Sequence, residues 1–155
     1  MKNIFLKCCL AVLVLATFVA CGGPTEVDPR DAFIGAYSYE ATGNADFYYG
    51  PLHWDIPLNE QGTFTISKVG DQDKVVIKGY YDPINATVSG NQLVLESSEY
   101  DTMYGDIEFH LVLNHNKATL ADNKLTWSTE VDGIGQYNGL STTGTGSVSM
   151  VATKQ

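Results

Sequence analysis

The chain has 155 residues, enough for one domain beyond any targeting segment. Eighteen Asp and Glu stand against nine Lys and Arg, a formal net charge of -9. Arg30 is the one arginine, so the composition argues against nucleic-acid binding, phosphate clamps and bidentate carboxylate recognition, all of which use clustered cations.

Lys2 and Lys7 precede an almost wholly apolar run over 8–20, and Val19 and Ala20 place small residues before Cys21. This is the three-part plan of a secretory signal peptide, so residues 1–20 are expected to be removed. A membrane-spanning helix needs about 20 apolar residues, whereas this run is shorter and leads into Gly22, Gly23 and Pro24. The stretch Phe18-Val19-Ala20-Cys21-Gly22 resembles the lipobox of bacterial lipoproteins, with Phe18 where Leu is usual. In that family the chain is cut just before the cysteine, whose sulfur carries diacylglycerol. A second acyl group on the new amine then makes the anchoring stable.

The resemblance implies that Cys21 is lipidated. It also implies a protein of the cell envelope, held at the outer membrane on its periplasmic face or at the cell surface. The membrane, reached through the N-terminal lipid, would be its first partner. Cysteine usage agrees, because Cys8 and Cys9 fall in the removed segment and Cys21 would be acylated. The mature chain of 135 residues would then hold no disulfide, and loss of Lys2 and Lys7 would take its formal charge to -11. Residues 21–32 read as a lipidated N-terminus and flexible tether, rich in Gly, Pro and charge.

From residue 33 to 155 the pattern is that of short β-strands separated by turns. Phe33, Gly35, Tyr37 and Tyr39 share one face, as do Phe64 and Ile66. Ile107, Phe109, Leu111 and Leu113 alternate with Glu108, His110 and Asn114. Leu125, Trp127, Thr129 and Val131 follow the same rule, and Val148, Met150 and Ala152 close the chain. NATVSGNQLVLES (85–97) echoes KATLADNKLTWST (117–129), each predicting two strands about a tight turn at Gly90-Asn91 or Asp122-Asn123. About eight to ten strands at this spacing predict an all-β fold, an antiparallel up-and-down β-barrel, with a sandwich as the other layout.

Asp31-Ala32-Phe33-Ile34-Gly35-Ala36-Tyr37 is similar to the first-strand signature of lipocalins, a Phe followed by Gly-x-Trp, with Tyr37 in place of Trp. The body resembles the lipocalin-like (calycin-like) domains of Bacteroides-type lipoproteins. The later Thr-Asp-Tyr motif and a late Arg over the first-strand aromatic are missing, so the resemblance implies a fold and not a ligand.

Chemistry-bearing residues are sparse. His110 and His115 are five apart, which on one strand sets them on opposite faces, and His53 lies in a Pro-bounded segment. No metal site or cofactor is expected. Asp28 with Asp31 and Asp71 with Asp73 are acidic turns without a complete calcium loop. No nucleophile elbow or phosphate loop is present, so the expectation is a non-enzymatic protein. Aromatic residues carry the binding expectation: Tyr48, Tyr49 and Trp54 in FYYGPLHWDIP, Tyr80 and Tyr81 before an Asp-Pro turn, and Tyr104 within DTMYG, which Tyr100 directly precedes. Beside Gly and Pro these suit a barrel mouth that takes a small apolar or sugar-like ligand. Core or edge packing is the plainer account of many aromatics in a small barrel. The other reading is an envelope interaction module with a filled barrel and no ligand. Asp101-Thr102-Met103 resembles the short acceptor of an O-glycosylation system in such bacteria, which marks Thr102 as a candidate glycosylation site.

Overall fold

The structure, a computed structural model, describes residues 27–80, 82–137 and 139–155. The expected signal peptide, Cys21 and Tyr81 lie outside the described residues. The alternating segments form eleven strands: β1 Gly35–Tyr49, β2 Leu52–Pro57, β3 Glu60–Lys68, β4 Lys74–Lys78, β5 Ile84–Ser89, β6 Gln92–Leu95, β7 Ser98–Tyr104, β8 Ile107–His115, β9 Ala118–Ala121, β10 Lys124–Tyr137 and β11 Leu140–Lys154. All pairings are antiparallel. Eight strands close a barrel in the order β11-β1-β3-β4-β5-β6-β9-β10, with β10 returning to β11.

The face assignments hold strand by strand. Tyr37, Phe64, Ile66, Phe109, Leu125 and Val131 are almost fully buried, and Thr129 is a buried polar exception. An eight-stranded barrel has an interior just wide enough for side chains to fill. Here Tyr37 stacks on Phe64 at 5.3 Å, and Phe64 meets Trp127 edge-on at 6.0 Å. The two echoing segments are the hairpins β5–β6 and β9–β10, and they lie side by side through β6 and β9. Asp122 and Asn123 both have positive φ, as a two-residue hairpin turn of this type requires, and Gly90 supplies it in the other hairpin.

Two long strands change neighbour part-way. On one side β1 pairs with β3 over Gly35–Ala41 and with β2 over Asn44–Tyr49. Gly43 lies at this fork: its carbonyl accepts from the Leu58 N–H at 2.9 Å, and its N–H donates to Asn59 Oδ1 at 3.2 Å. Likewise β10 pairs with β9 over Lys124–Thr126 and with β8 over Thr129–Gln136. There Asn116 N–H donates to the Ser128 carbonyl at 2.8 Å, and its side-chain amide to Ser128 Oγ, also at 2.8 Å. Below the forks the eight-stranded ring is closed. Above them stands a curled sheet in the order β2-β1-β11-β10-β8-β7, with β2 and β7 as its edges.

The residues before β1 are pinned to the closed end. Pro29–Ala32 form one 3₁₀ turn capped by Asp28, whose carboxylate accepts from Arg30 and pairs with Lys68 at 2.8 Å. Arg30 also donates to the Asp71 carbonyl at 2.7 Å, and Lys68 meets Asp31.

Candidate functional site

The gap between the edge strands opens a lateral cleft of about 240 Å³ over the β4–β5 connection. Its floor is apolar: Ala41, Ala45, Phe47, Phe109, Leu111, Leu113, Val131 and Val148, all from inward positions of β1, β8, β10 and β11. One rim is the β2–β3 junction, Ile56 through Glu60. The other is β7, which contributes Tyr100, Thr102, Met103 and Tyr104. Tyr80, near the start of the β4–β5 connection, forms the sill. Alternation on β7 sends Tyr100 and Thr102 inward, while Asp101 and Glu99 face out.

Among the described residues Glu60 is the one charged side chain in this lining. It lies opposite Ala41 in the β1–β3 register, and directly paired residues in an antiparallel sheet share a face. Its Oε1 accepts from the Tyr39 hydroxyl at 2.7 Å, and Tyr39 meets Tyr80 edge-on at 5.2 Å. Burial, and secondly the Glu60 carboxylate, push both tyrosine hydroxyls well above the usual phenol range. Both therefore stay protonated donors at neutral pH.

The sequence-predicted aromatics are dispersed by this geometry. Tyr80 and Tyr104 line the cleft. Tyr49 and Trp54 lie at the far tip of the β1–β2 hairpin, around a crevice of about 20 Å³ with Leu52, Ile107 and Leu140. Tyr48 is on the outer face, stacked on His53 at 4.7 Å and 56% exposed. FYYGPLHWDIP is a strand, turn and strand about Gly50-Pro51 rather than an irregular loop, so neighbouring aromatics point to opposite faces. Thr102 is likewise in strand β7, opposite Phe109, and not in a loop. Sequence reasoning missed Glu60, Leu58 and Met103. The chance to find Glu60 lay in its phase with Phe64 and Ile66, two and three steps of two along β3.

The histidines occupy three settings. His53 contacts Asp46 at 2.7 Å on the outer face. His110 contacts Asp101 at 2.8 Å, also outside, and that hydrogen bond raises its pKa above the usual 6.5. His115 is half-buried at the second fork, between Thr129 Oγ1 at 2.8 Å and Ser98 Oγ at 3.1 Å. Burial lowers its pKa to about 4, so the ring is neutral at pH 7. A catalytic serine–histidine pair needs a third group, usually a carboxylate, to hold the imidazolium, and here that place is taken by a hydroxyl. None of these three side chains lines the cleft. Among the described residues no group of three or more His, Cys, Asp or Glu is arranged to hold a metal ion.

No protein-family description matches the sequence, and no curated protein matches it. Among solved structures, the chain is similar to the ywiB protein from Bacillus subtilis at 11% identity and a TM-score of 0.33, covering 81% of this chain and 98% of that one. That likeness is too distant to carry a statement about ligand or activity.

Proposed function

We propose that this chain is a lipid-anchored lipoprotein of the bacterial outer membrane whose lipocalin-like split barrel binds a small apolar ligand without catalysis. The observation that carries the binding reading is the cleft: an apolar floor, aromatic walls and a few polar groups at one rim, the usual make-up of a ligand site. Its volume lies just under the usual lower bound of about 300 Å³, so it takes a short chain or the end of a longer one. The apolar floor favours an aliphatic body over a sugar ring. Tyr48, the most exposed of the predicted aromatics among the described residues, already has one ring face covered by His53.

The anchor reading rests on the basic, apolar and small-residue order of 1–20 and on Cys21 in its lipobox-like setting. A glycan on Thr102 would stand in the cleft rim, so modification there and ligand binding are competing uses of one place.

The anchor is tested by Cys21→Ser. The substituted chain should leave the membrane fraction of the host, and retention there would overturn the lipidation. Native mass spectrometry of the released chain then tests the cleft. A discrete added mass, lost on mild activation and absent after denaturation, is expected. A second reading has its own observation, because the closed half of the barrel is filled by Phe64, Trp127 and their neighbours. A bare mass would favour that reading, an envelope interaction module that binds no small molecule.

A further inference from the structure

We propose that the outer face of the open half is a docking surface for a basic, extended segment of a partner protein, separate from the cleft on the inner face. Strand register sets two rows across the curled sheet β2-β1-β11-β10-β8-β7. Asp55, Asp46, Thr145, Asp132, Val112 and Glu99 stand side by side in the first. His53, Tyr48, Thr143, Ile134 and His110 stand in the second, two residues along each strand. The middle of both rows lines a shallow trough of about 500 Å³. Phe47, Leu111 and Val131 point the other way, so one set of strands carries the trough outside and the cleft floor inside.

Charge is divided along the molecule in the same sense. Apart from Lys2 and Lys7, every Lys and Arg of the chain lies on or beside strands of the closed ring: Arg30, Lys68, Lys74, Lys78, Lys117, Lys124 and Lys154. The sheet above the forks carries Asp46, Asp55, Glu99, Asp101, Glu108, Glu130 and Asp132, and no Lys or Arg among its described residues. Such a face draws a cationic partner and repels a second copy of itself. Two of its carboxylates are held in position: Asp46 meets His53 Nε2 at 2.7 Å, and Asp132 accepts from the Asn114 side-chain amide at 3.2 Å. A pre-set acceptor loses little freedom when a cation arrives. The second row adds apolar surface, with Tyr48 56% and Ile134 47% exposed. Aromatic and aliphatic groups bordered by charge are the make-up of a protein interface.

The two rows also set the pattern of the occupant. Strands about 4.8 Å apart make the curled sheet about 24 Å wide, the length of about seven extended residues. A segment lying between the rows sends alternate side chains to each, basic to the first and apolar to the second. The probe is the peptide Arg-Leu-Arg-Ser-Arg-Leu-Arg, titrated by calorimetry into the full chain carrying Cys21→Ser. Arg-Ser-Arg-Ser-Arg-Ser-Arg keeps its charge without the apolar groups, and Glu-Leu-Glu-Ser-Glu-Leu-Glu reverses the charge. The first should bind about tenfold more tightly than the second, the third should not bind, and added salt should weaken the first. Asp46→Asn with Asp132→Asn keeps an acceptor oxygen at each position and removes the charge. It should weaken the first peptide about tenfold. Ile134→Ser should bring the first peptide toward the second and leave the second unchanged. Asp71→Asn with Asp73→Asn removes the same charge from an exposed turn at the closed end and should change nothing.

No binding of the first peptide, or equal affinity for the first two, overturns the proposal. So does an equal loss in the two pairs of aspartate substitutions, which would reduce the effect to general attraction by an acidic chain. A dimer that Asp46→Asn with Asp132→Asn strengthens would make a second copy the occupant of this face and overturn it as well.

Discussion

The rings of Phe47 and Phe109 meet with centroids 4.4 Å apart and planes tilted by 56°, joining β1 to β8 across the inner face of the open half. They reach each other because the strands between them carry glycine. A Cβ on Gly133 would come within 2.6 Å of Leu111 and 2.8 Å of Phe47. One on Gly135 would come within 2.6 Å of Phe109. Both rings form the cleft floor, so these glycines set its shape. Gly133→Ala should destabilise the protein by about 1–3 kcal/mol through overpacking, read as a lower denaturant midpoint at unchanged slope. An unchanged midpoint would mean that the floor is loosely packed.

Stability should fall on acidification through His115. Its pKa in the fold, about 4, lies below the value of 6.5 that it has when unfolded. The unfolded chain therefore takes up a proton first. The contribution is whole above about pH 6.5, declines as pH falls, and is gone below about pH 4. After discounting for partial solvent access, it amounts to about 2 kcal/mol. His110 acts in the opposite sense. Its raised pKa stabilises the fold below 6.5, and that support is lost as pH rises through the raised value. Denaturation curves from about pH 7 to about pH 4 should show a shallower pH slope for His115→Gln than for the parent chain. Equal slopes would assign the acid sensitivity to other groups.

Alternation made the faces legible. The inward residues of β8, β10 and β11 follow from period two, because a slip of one residue would turn the buried face to solvent. The offset between the two echoing hairpins likewise anticipated two similar turns, though not that β6 and β9 would lie side by side. What stayed hidden was the split. A strand such as β1 alternates straight through its fork, and Gly43 is the one residue there whose type hints at a close approach. The cleft exists because β2 and β7 do not meet, a long-range fact with no local signature. The scatter of the aromatics had a local signature that was missed. Phe47 is buried and Tyr48 exposed because they are adjacent on a strand, so the two tyrosines at 48 and 49 could never share a site.

The Asp28 clip predicts a local transition at the closed end. Asp28 accepts from the Arg30 backbone and guanidinium and pairs with Lys68, and these contacts hold its carboxyl far below the usual carboxylate range. Asp31 N–H donates to the Asp28 carbonyl and Phe33 N–H to the Arg30 carbonyl, both at 2.9 Å. In Asp28→Ala these two amides should exchange with deuterium faster, while the barrel amides keep their rates. The exposed setting of the clip makes the same loss expected at high salt. Uniform rates in both proteins would show that the 3₁₀ turn stands without its cap.

Thr102 offers the most direct way to close the cleft, because it points inward from an edge strand and is only half-buried. Thr102→Trp lays an indole over the floor formed by Phe109 and Leu111 without disturbing the closed ring. Added apolar burial there should leave global stability unchanged or raise it by about 1 kcal/mol. Binding of any small apolar ligand should be lost, because the indole occupies the space that the ligand needs. The two readouts separate cause from collapse: a stable protein that no longer binds places the ligand in the cleft. A stable protein that binds as before would move the site elsewhere, and the outer face around Tyr48 and His53 would be the next place to substitute.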